Sequence, residues 1–283
     1  MGCMQRSIPP QRGRASLRLT AALTGLLAVL SVLSATPASG ESIPERGSAY
    51  MGIGVMAHDG VVGGRPDAVP PTARAVQTEG VDVSSYQRDV AWSTLWSSGV
   101  RWAYTKATEG TSYTNPYFAG QYDGAYGTGM VRGAYHFATP DSGSGTAQAD
   151  YFVDHGGAWS GDGRTLPGAL DIEWNPYGDS CYDLSRSEMV AWIRDFLNRY
   201  KARTGRAAVI YTSTSWWTSC TGGYTGFGTT NPLWVARYAS SVGTLPAGWS
   251  SYTMWQYTSS GQTVGDHDRY NGSADGLRDF AAD

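Results

Sequence analysis

Two acids interrupt an otherwise apolar run in Leu166-Pro167-Gly168-Ala169-Leu170-Asp171-Ile172-Glu173-Trp174. The run reads as a strand, where residues i and i+2 point to the same face. Two residues of strand set Asp171 and Glu173 roughly 6 to 7 Å apart, close enough for their carboxylates to share a site. Like charges at that range resist joint ionisation, so one carboxyl keeps its proton to higher pH than it would alone. A protonated acid beside an ionised one is the equipment for glycosidic cleavage: the acid protonates the leaving oxygen and the carboxylate supports the positive charge growing on the sugar. On this reading Glu173 is the general acid and Asp171 the charge stabiliser or orienting group. An Asp-x-Glu pair can also serve a metal, but His58, His136, His155 and His267 show no ligand spacing, so neither a metal nor another cofactor is expected.

The acids need a scaffold, and the chain offers a rhythm of short β-like runs separated by turn or helix-like segments. The runs are Val81 to Ser84, Trp102 to Lys106, Val131 to Phe137, Gly168 to Glu173, Ala207 to Thr212, Leu233 to Tyr238 and Thr253 to Tyr257. Seven of them in about two hundred residues suggest an α/β fold, a modified, compressed (β/α) barrel of the TIM type. Polar residues collect at the C-terminal ends of these runs: Asp82, Lys106, Tyr135-His136, Asp171 with Glu173, Tyr211, Arg237-Tyr238 and Gln256. That end is where (β/α) barrels assemble their active sites. Ser185-Arg186-Ser187-Glu188 forms a capping box ahead of Met189, Trp192, Ile193, Phe196, Leu197 and Tyr200, with Thr204-Gly205 as the stop. The periodicity of this helix faces Trp192 to the core rather than to sugar. Further helices are expected over Val90 to Ser98 and around Gln148 to Asp154.

Arg6, Arg12, Arg14 and Arg18 precede an uncharged apolar run from Leu19 to Leu33, and small residues follow up to Gly40. This is the layout of a signal peptide, too short to span a membrane, so the expectation is a secreted, extracellular protein with no stable membrane association. Cys3 would leave with the signal. Cys181 and Cys220 would then be two thiols in an oxidising space and are expected to pair. Residues 41–78 are rich in Gly, Pro, Ala and Val without sustained periodicity and read as a propeptide-like or linker segment without structure of its own. Residues 79–283 then form a single catalytic domain, expected to be a monomer. A net charge of −3 gives no basic field for nucleic acid. Tyr (18) and Trp (11) greatly outnumber Phe (6), which suits a surface that must stack on sugar faces and hydrogen-bond their hydroxyls.

Gly80-Val81-Asp82-Val83-Ser84-Ser85-Tyr86-Gln87 resembles the opening Asp-x-Ser-x-x-Gln motif of glycoside hydrolase family 25, the Chalaropsis-type lysozymes. The resemblance continues, in the family's order, through Lys106-Ala107-Thr108-Glu109-Gly110, Gly133-Ala134-Tyr135-His136-Phe137, the Asp171-Ile172-Glu173 strand, Ile210-Tyr211-Thr212, Leu233-Trp234-Val235-Ala236 and Trp255-Gln256-Tyr257. It implies a modified barrel and N-acetylmuramidase activity: cleavage of the β-1,4 bond between N-acetylmuramic acid and N-acetylglucosamine in the glycan strands of peptidoglycan, with retention. Motif matching gives Glu173 the proton-donor role and completes an acidic cluster with Asp171, Asp82 and Asp266. It also places Tyr135, Tyr211 and Trp255 along the sugar groove. Lys106 and Glu109 match a family motif and are either substrate contacts or a structural ion pair. Gly265-Asp266-His267-Asp268-Arg269-Tyr270 departs from the family pattern, which makes Asp268 the competing choice to Asp266. Two other functions stay open for the same residues: a chitinase-like or N-acetylglucosaminidase activity, and a non-catalytic peptidoglycan-binding domain.

Overall fold

The computed structural model of the protein describes residues 44–62 and 76–283, all within one compact unit. The signal peptide expected over residues 1–40, with Cys3, lies outside the described residues. All seven apolar runs form strands: β2 (Thr78–Val83), β3 (Trp102–Glu109), β5 (Val131–Phe137), β6 (Ala169–Asp171), β7 (Val209–Ser213), β8 (Leu233–Ala236) and β10 (Met254–Thr258). They pair in parallel in the order β2-β3-β5-β6-β7-β8-β10. An eighth strand, β11 (Asp266–Tyr270), runs antiparallel between β10 and β2 and closes the barrel. Three two-residue strands sit outside this ring: β1 (Val61–Val62), β4 (Tyr113–Thr114) and β9 (Tyr238–Ala239).

Helices α2 (Trp92–Ser97), α3 (Phe118–Gly127), α4 (Gly145–Phe152), α5 (Arg186–Thr204) and α6 (Thr214–Thr221) each follow one parallel strand. No helix stands between β8 and β10, and the last link is the antiparallel β10–β11 pair, so this is the compressed form of the eightfold barrel. α5 is built as its sequence directs. The Ser185 hydroxyl accepts from the Glu188 N–H, the Glu188 carboxylate accepts from the Ser185 N–H, and Gly205 ends the helix at a left-handed φ of 76°. Met189, Ile193, Phe196 and Tyr200 are fully buried between helix and barrel, and Trp192 packs with them, donating its indole N–H to the Gly143 carbonyl.

The inside of the barrel is filled by rings that require glycine next door. On β3, Trp102 and Tyr104 point inward and lie across Gly80 of β2 and Gly133 of β5; a Cβ on either glycine would fall 2.1 and 2.3 Å from those rings. Trp234, Tyr211, Tyr135 and Met254 complete the same interior. α7 (Ala274–Ala282) contributes Leu277 and Ala281 from the end where the parallel strands begin. From the opposite end come Met51 and Val55, the latter on α1 (Ile53–His58), and both are fully buried.

This last contact changes the reading of residues 41–78. Of these, 44–62 and 76–78 are described, and 44–62 pack onto the mouth of the barrel with a helix and a short strand rather than as an unstructured linker. β11 is the other element without a counterpart among the apolar runs. Its inward positions are Asp266 and Asp268, so its hydropathy pattern is inverted relative to a core strand.

Cys181, in the loop after β6, is bonded to Cys220 on α6 with the Cα atoms 5.4 Å apart. The bridge spans a sequence separation of 39, for which loop-closure entropy supplies up to about 4 kcal/mol. Replacing both cysteines by serine is expected to lower Tm by on the order of 10 °C in a domain of this size. Calorimetry checks this, and an unchanged Tm would mean that the loop is already held by its packing.

Candidate active site

Asp171 is the last residue of β6, seated in register between Phe137 of β5 and Tyr211 of β7. Glu173 follows two residues past the end of the strand, while Ile172 between them packs outward into the helix layer. Both acids are completely buried and lie side by side, close enough to share a proton. Burial and the neighbouring Glu173 charge hold Asp171 well above the usual carboxylate range, against the pull of Lys106. Glu173 is pushed up to about 8 by burial, although the backbone N–H groups of Gly52, Gly54 and Val55 favour its charged form. The Gly52 N–H reaches Oε1 at 2.6 Å and the Gly54 N–H reaches Oε2 at 2.9 Å.

Asp82 on β2 and Asp266 on β11 face each other directly in register. Gln256 on β10 joins them. Its Nε2 donates to Asp82 at 2.7 Å and to Asp266 at 3.4 Å, while its Oε1 accepts from the hydroxyls of Tyr211 at 2.6 Å and Tyr238 at 3.0 Å. With carboxylates on one side and hydroxyls on the other, the amide has a single workable orientation. Asp268 lies on the same face of β11 as Asp266 but one layer deeper, accepting from the Trp234 indole N–H at 3.0 Å and set against Asp82. Asp266 therefore holds the position at the mouth, and Asp268 braces Asp82 from below. Burial raises Asp266 to about 7, and burial with its acidic neighbours holds Asp82 and Asp268 well above the usual range.

Lys106 and Glu109 are brought together by a bulge. The β3–β5 register shifts between Lys106 and Thr108, which turns Glu109 rather than Thr108 toward the lysine. The ammonium sits 2.6 Å from Glu109 Oε2 with both side chains buried, and Glu109 Oε1 accepts from the Tyr177 hydroxyl at 2.7 Å. Thr108 goes outward instead and meets His136. The Thr108 hydroxyl lies 2.7 Å from His136 Nδ1, and Nε2 lies 2.9 Å from Gln148 Oε1. That oxygen also accepts from the Thr139 N–H, which makes His136 Nε2 the donor and the ring neutral; burial lowers it to about 3. His136 thus belongs to the scaffold.

Tyr135 and Tyr211 face the interior beneath the acids. Trp255 does not join them. It packs in the outer layer against Tyr257 and Arg269, with its indole N–H on the Arg237 carbonyl, because strand alternation gives the inward position to its neighbour Gln256. Tyr177 is the site residue that neither the motifs nor the strand ends single out, while Gln256 and Tyr238 stand among the polar strand ends without a role assigned to them. For Gln256 the signal was its parity with Met254, an interior residue; Tyr177 lies on a loop, where no periodicity points to it. Among the described residues, no group of three or more His, Cys, Asp and Glu side chains is arranged to hold a metal ion.

Acids of unequal proton affinity at the C-terminal ends of barrel strands, with tyrosines and an amide around them, define a glycoside hydrolase site. Comparison with known proteins narrows the class. The family model for glycosyl hydrolases family 25 matches residues 81–266. Lysozyme M1 of Streptomyces globisporus is 46% identical over 265 residues, 92% of this chain and 88% of that protein. An N,O-diacetylmuramidase of a Chalaropsis species is 51% identical over 207 residues, 72% of this chain and 98% of that protein. The solved muramidase of Trichobolus zukalii superposes with a TM-score of 0.71 at 50% identity, covering 72% of this chain and 99% of its own. The chain belongs to glycosyl hydrolase family 25 and is a glycoside hydrolase of the lysozyme type.

The raised acids set a pH dependence. Asp266 near 7 and Glu173 near 8 stay protonated in the fold at pH values where the unfolded chain has released those protons. Their contribution to stability is complete below about pH 4 and is lost as pH rises through 7 and 8. His136 acts in the opposite sense, but its gain is nearly complete by about pH 7, once the unfolded ring has also lost its proton. Unfolding free energy is therefore expected to fall between pH 6.5 and 8.5, and less steeply in Asp266→Asn. Equal slopes in denaturant titrations of the two proteins would mean that Asp266 is already ionised in the fold at pH 6.5.

Proposed function

We propose that the protein is a secreted lysozyme that hydrolyses the β-1,4 bond between N-acetylmuramic acid and N-acetylglucosamine in peptidoglycan, with retention of configuration. The observation that carries this reading is the buried, adjacent pair Asp171 and Glu173 at the mouth of the barrel. The names lysozyme and N,O-diacetylmuramidase, carried by relatives at 46% and 51% identity, support the choice of substrate.

Glu173, whose proton affinity is raised into the neutral range, donates its proton to the glycosidic oxygen as the bond to the anomeric carbon breaks. Asp171 directly beside it orients the group that attacks from the opposite face. That group is the substrate's own 2-acetamido oxygen or a carboxylate, and either gives retention after water, deprotonated by Glu173, displaces it. Asp82 and Asp266, tied by Gln256, set the field of the site, and Tyr135 and Tyr211 line its floor. Lys106 and Glu109 form the ion pair at its far edge. The arginine-led apolar run before Gly40 and the Cys181–Cys220 bond both suit export to an oxidising compartment, where the protein acts as a monomer free of the membrane.

The test is to digest purified peptidoglycan with the barrel, residues 76–283, reduce the products with borohydride and identify the new ends by mass spectrometry. Muramitol ends are expected, with activity reduced by about 10²–10⁴ in Glu173→Gln, the span that general acid catalysis contributes. Glucosaminitol ends would move the enzyme to the glucosaminidases. Intact glycan after exposure to wild type would leave a binding domain.

A further inference from the structure

We propose that residues 46–62 are an autoinhibitory plug that occupies the glycan groove, so that the chain is inactive until this segment is displaced or cut away. The inference rests on the lysozyme reading and adds the regulation of that same site.

The segment crosses the whole mouth of the barrel, and its main chain engages the site's own side chains. Arg46 pairs with Asp141 beyond β5. The carbonyls of Gly47 and Ala49 accept from Lys106, and the Gly47 N–H donates to Glu109 at 2.7 Å. The Ala49 N–H donates to the Tyr177 hydroxyl at 3.1 Å and the Met51 N–H to the Tyr135 hydroxyl at 3.3 Å. The Gly52 and Gly54 N–H groups take one oxygen each of Glu173, and the Gly52 carbonyl accepts from Tyr238. Past the acids, the His58 ring stacks on Trp174 at 4.4 Å with an interplanar angle of 14°, and Val61–Val62 pairs in parallel with Tyr238–Ala239.

These contacts are those of a substrate mimic. Amide N–H and C=O groups stand where the acetamido and hydroxyl groups of an N-acetylated glycan would hydrogen-bond, and a flat ring covers Trp174 as a sugar face would. Lys106 spends all three of its protons on Glu109 and the two plug carbonyls. Glu173 receives a main-chain N–H on each oxygen, so both of the positions from which it would reach a glycosidic oxygen are taken by the segment. Beside the segment lies a cavity of about 570 Å³ lined by Tyr50, Tyr86, Gln87, Val264 and Asp266. It reaches Asp266 but not Glu173.

The fit depends on two glycines. Gly52 has φ +89°, and a Cβ there would fall 2.1 Å from the Tyr238 hydroxyl. A Cβ on Gly54 would fall 2.5 Å from Trp174 Cβ and 2.8 Å from the Trp174 carbonyl oxygen. Both residues lie outside the barrel, so valines at these positions expel the segment without altering the enzyme. The segment is tethered through residues 63–75, which gives it a high effective concentration; cutting the tether turns it into a free and weaker inhibitor. The solved Trichobolus zukalii muramidase is covered to 99% of its length by 72% of this chain, about the extent of the barrel alone.

The experiment compares four samples on solubilised peptidoglycan: the chain from Pro44, the same chain with Gly52→Val and Gly54→Val, the barrel from Val76, and the barrel with a synthetic 44–62 peptide. A closed form populated at about 99% lowers kcat/KM about a hundredfold. The chain from Pro44 is expected to be slower than the barrel by that order, and the double variant to match the barrel. The peptide is expected to bind the barrel and inhibit competitively, whereas its double-valine version does neither. Equal activity of the chain from Pro44 and the barrel overturns the plug while leaving the lysozyme reading intact. A barrel that cuts nothing overturns the lysozyme reading; calorimetric binding of the peptide then still decides whether the groove is the plug's seat, and absence of binding overturns the proposal on that count as well.

Discussion

Burial of carboxyl groups at the open end of a barrel is the constraint on which the rest of this structure depends. Asp82, Asp171, Glu173, Asp266 and Asp268 occupy one layer and the layer just beneath it, each at least nine-tenths buried. Such a group can be kept charged only by donors, or kept neutral by a proton that it shares with a neighbour. The site uses both solutions. Asp171 lies against Glu173 and Asp268 against Asp82, each pair close enough to share a proton, while Gln256 and the Trp234 indole supply neutral donors. Lys106 is too far committed to Glu109 to neutralise the cluster. The consequence is a set of acids raised above the usual carboxylate range, Asp266 to about 7 and Glu173 to about 8, and near neutrality a carboxyl can give up a proton in one step and take one in the next.

Holding that layer in place falls to backbone geometry below it. The interior aromatic rings fill the barrel because Gly80 and Gly133 leave room for Trp102 and Tyr104. The bulge in β3 then breaks strict alternation once, at the height of the site, and delivers Glu109 to Lys106 while sending Thr108 out to His136. A single irregularity therefore separates a polar interior pair from a neutral scaffold histidine on the neighbouring strand. The antiparallel closure by β11 has a related effect. Running against its neighbours, it brings Asp266 opposite Asp82 from a segment that a parallel strand could reach only after another crossover.

Much of this was legible in the sequence because the relevant information is periodic. Seven strands, the long capped helix and the partnership of Asp171 with Glu173 follow from alternation, a capping box and i, i+2 spacing, and Cys181 and Cys220 pair as expected. What periodicity could not supply is where its rule is broken. β11 carries Asp266 and Asp268 inward and alternates them with His267 and Arg269, so its hydropathy reads as a loop. The motif and the ring of Trp255 argue for the groove, while parity on β10 gives the inward place to Gln256. Tyr177 comes from an irregular loop and reaches Glu109 only through the tertiary fold.

Residues 44–62 are the sharpest case of the same limit. They are short of apolar pattern, rich in glycine, and indistinguishable by composition from a spacer. Yet they make as ordered a set of contacts as any strand, because the donors and acceptors are main-chain groups that nearly every residue carries. Side-chain identity matters at fewer points: Met51 and Val55 enter the interior, Arg46 pairs with Asp141, His58 stacks on Trp174, and Gly52 and Gly54 allow close approach to Tyr238, Glu173 and Trp174. A ligand recognised through its amides leaves little trace in its own sequence, and a peptide that imitates an N-acetylated glycan is such a ligand. The polar side chains of the site are, by contrast, conspicuous, since each of them must be offset by a partner whether the groove holds sugar or plug.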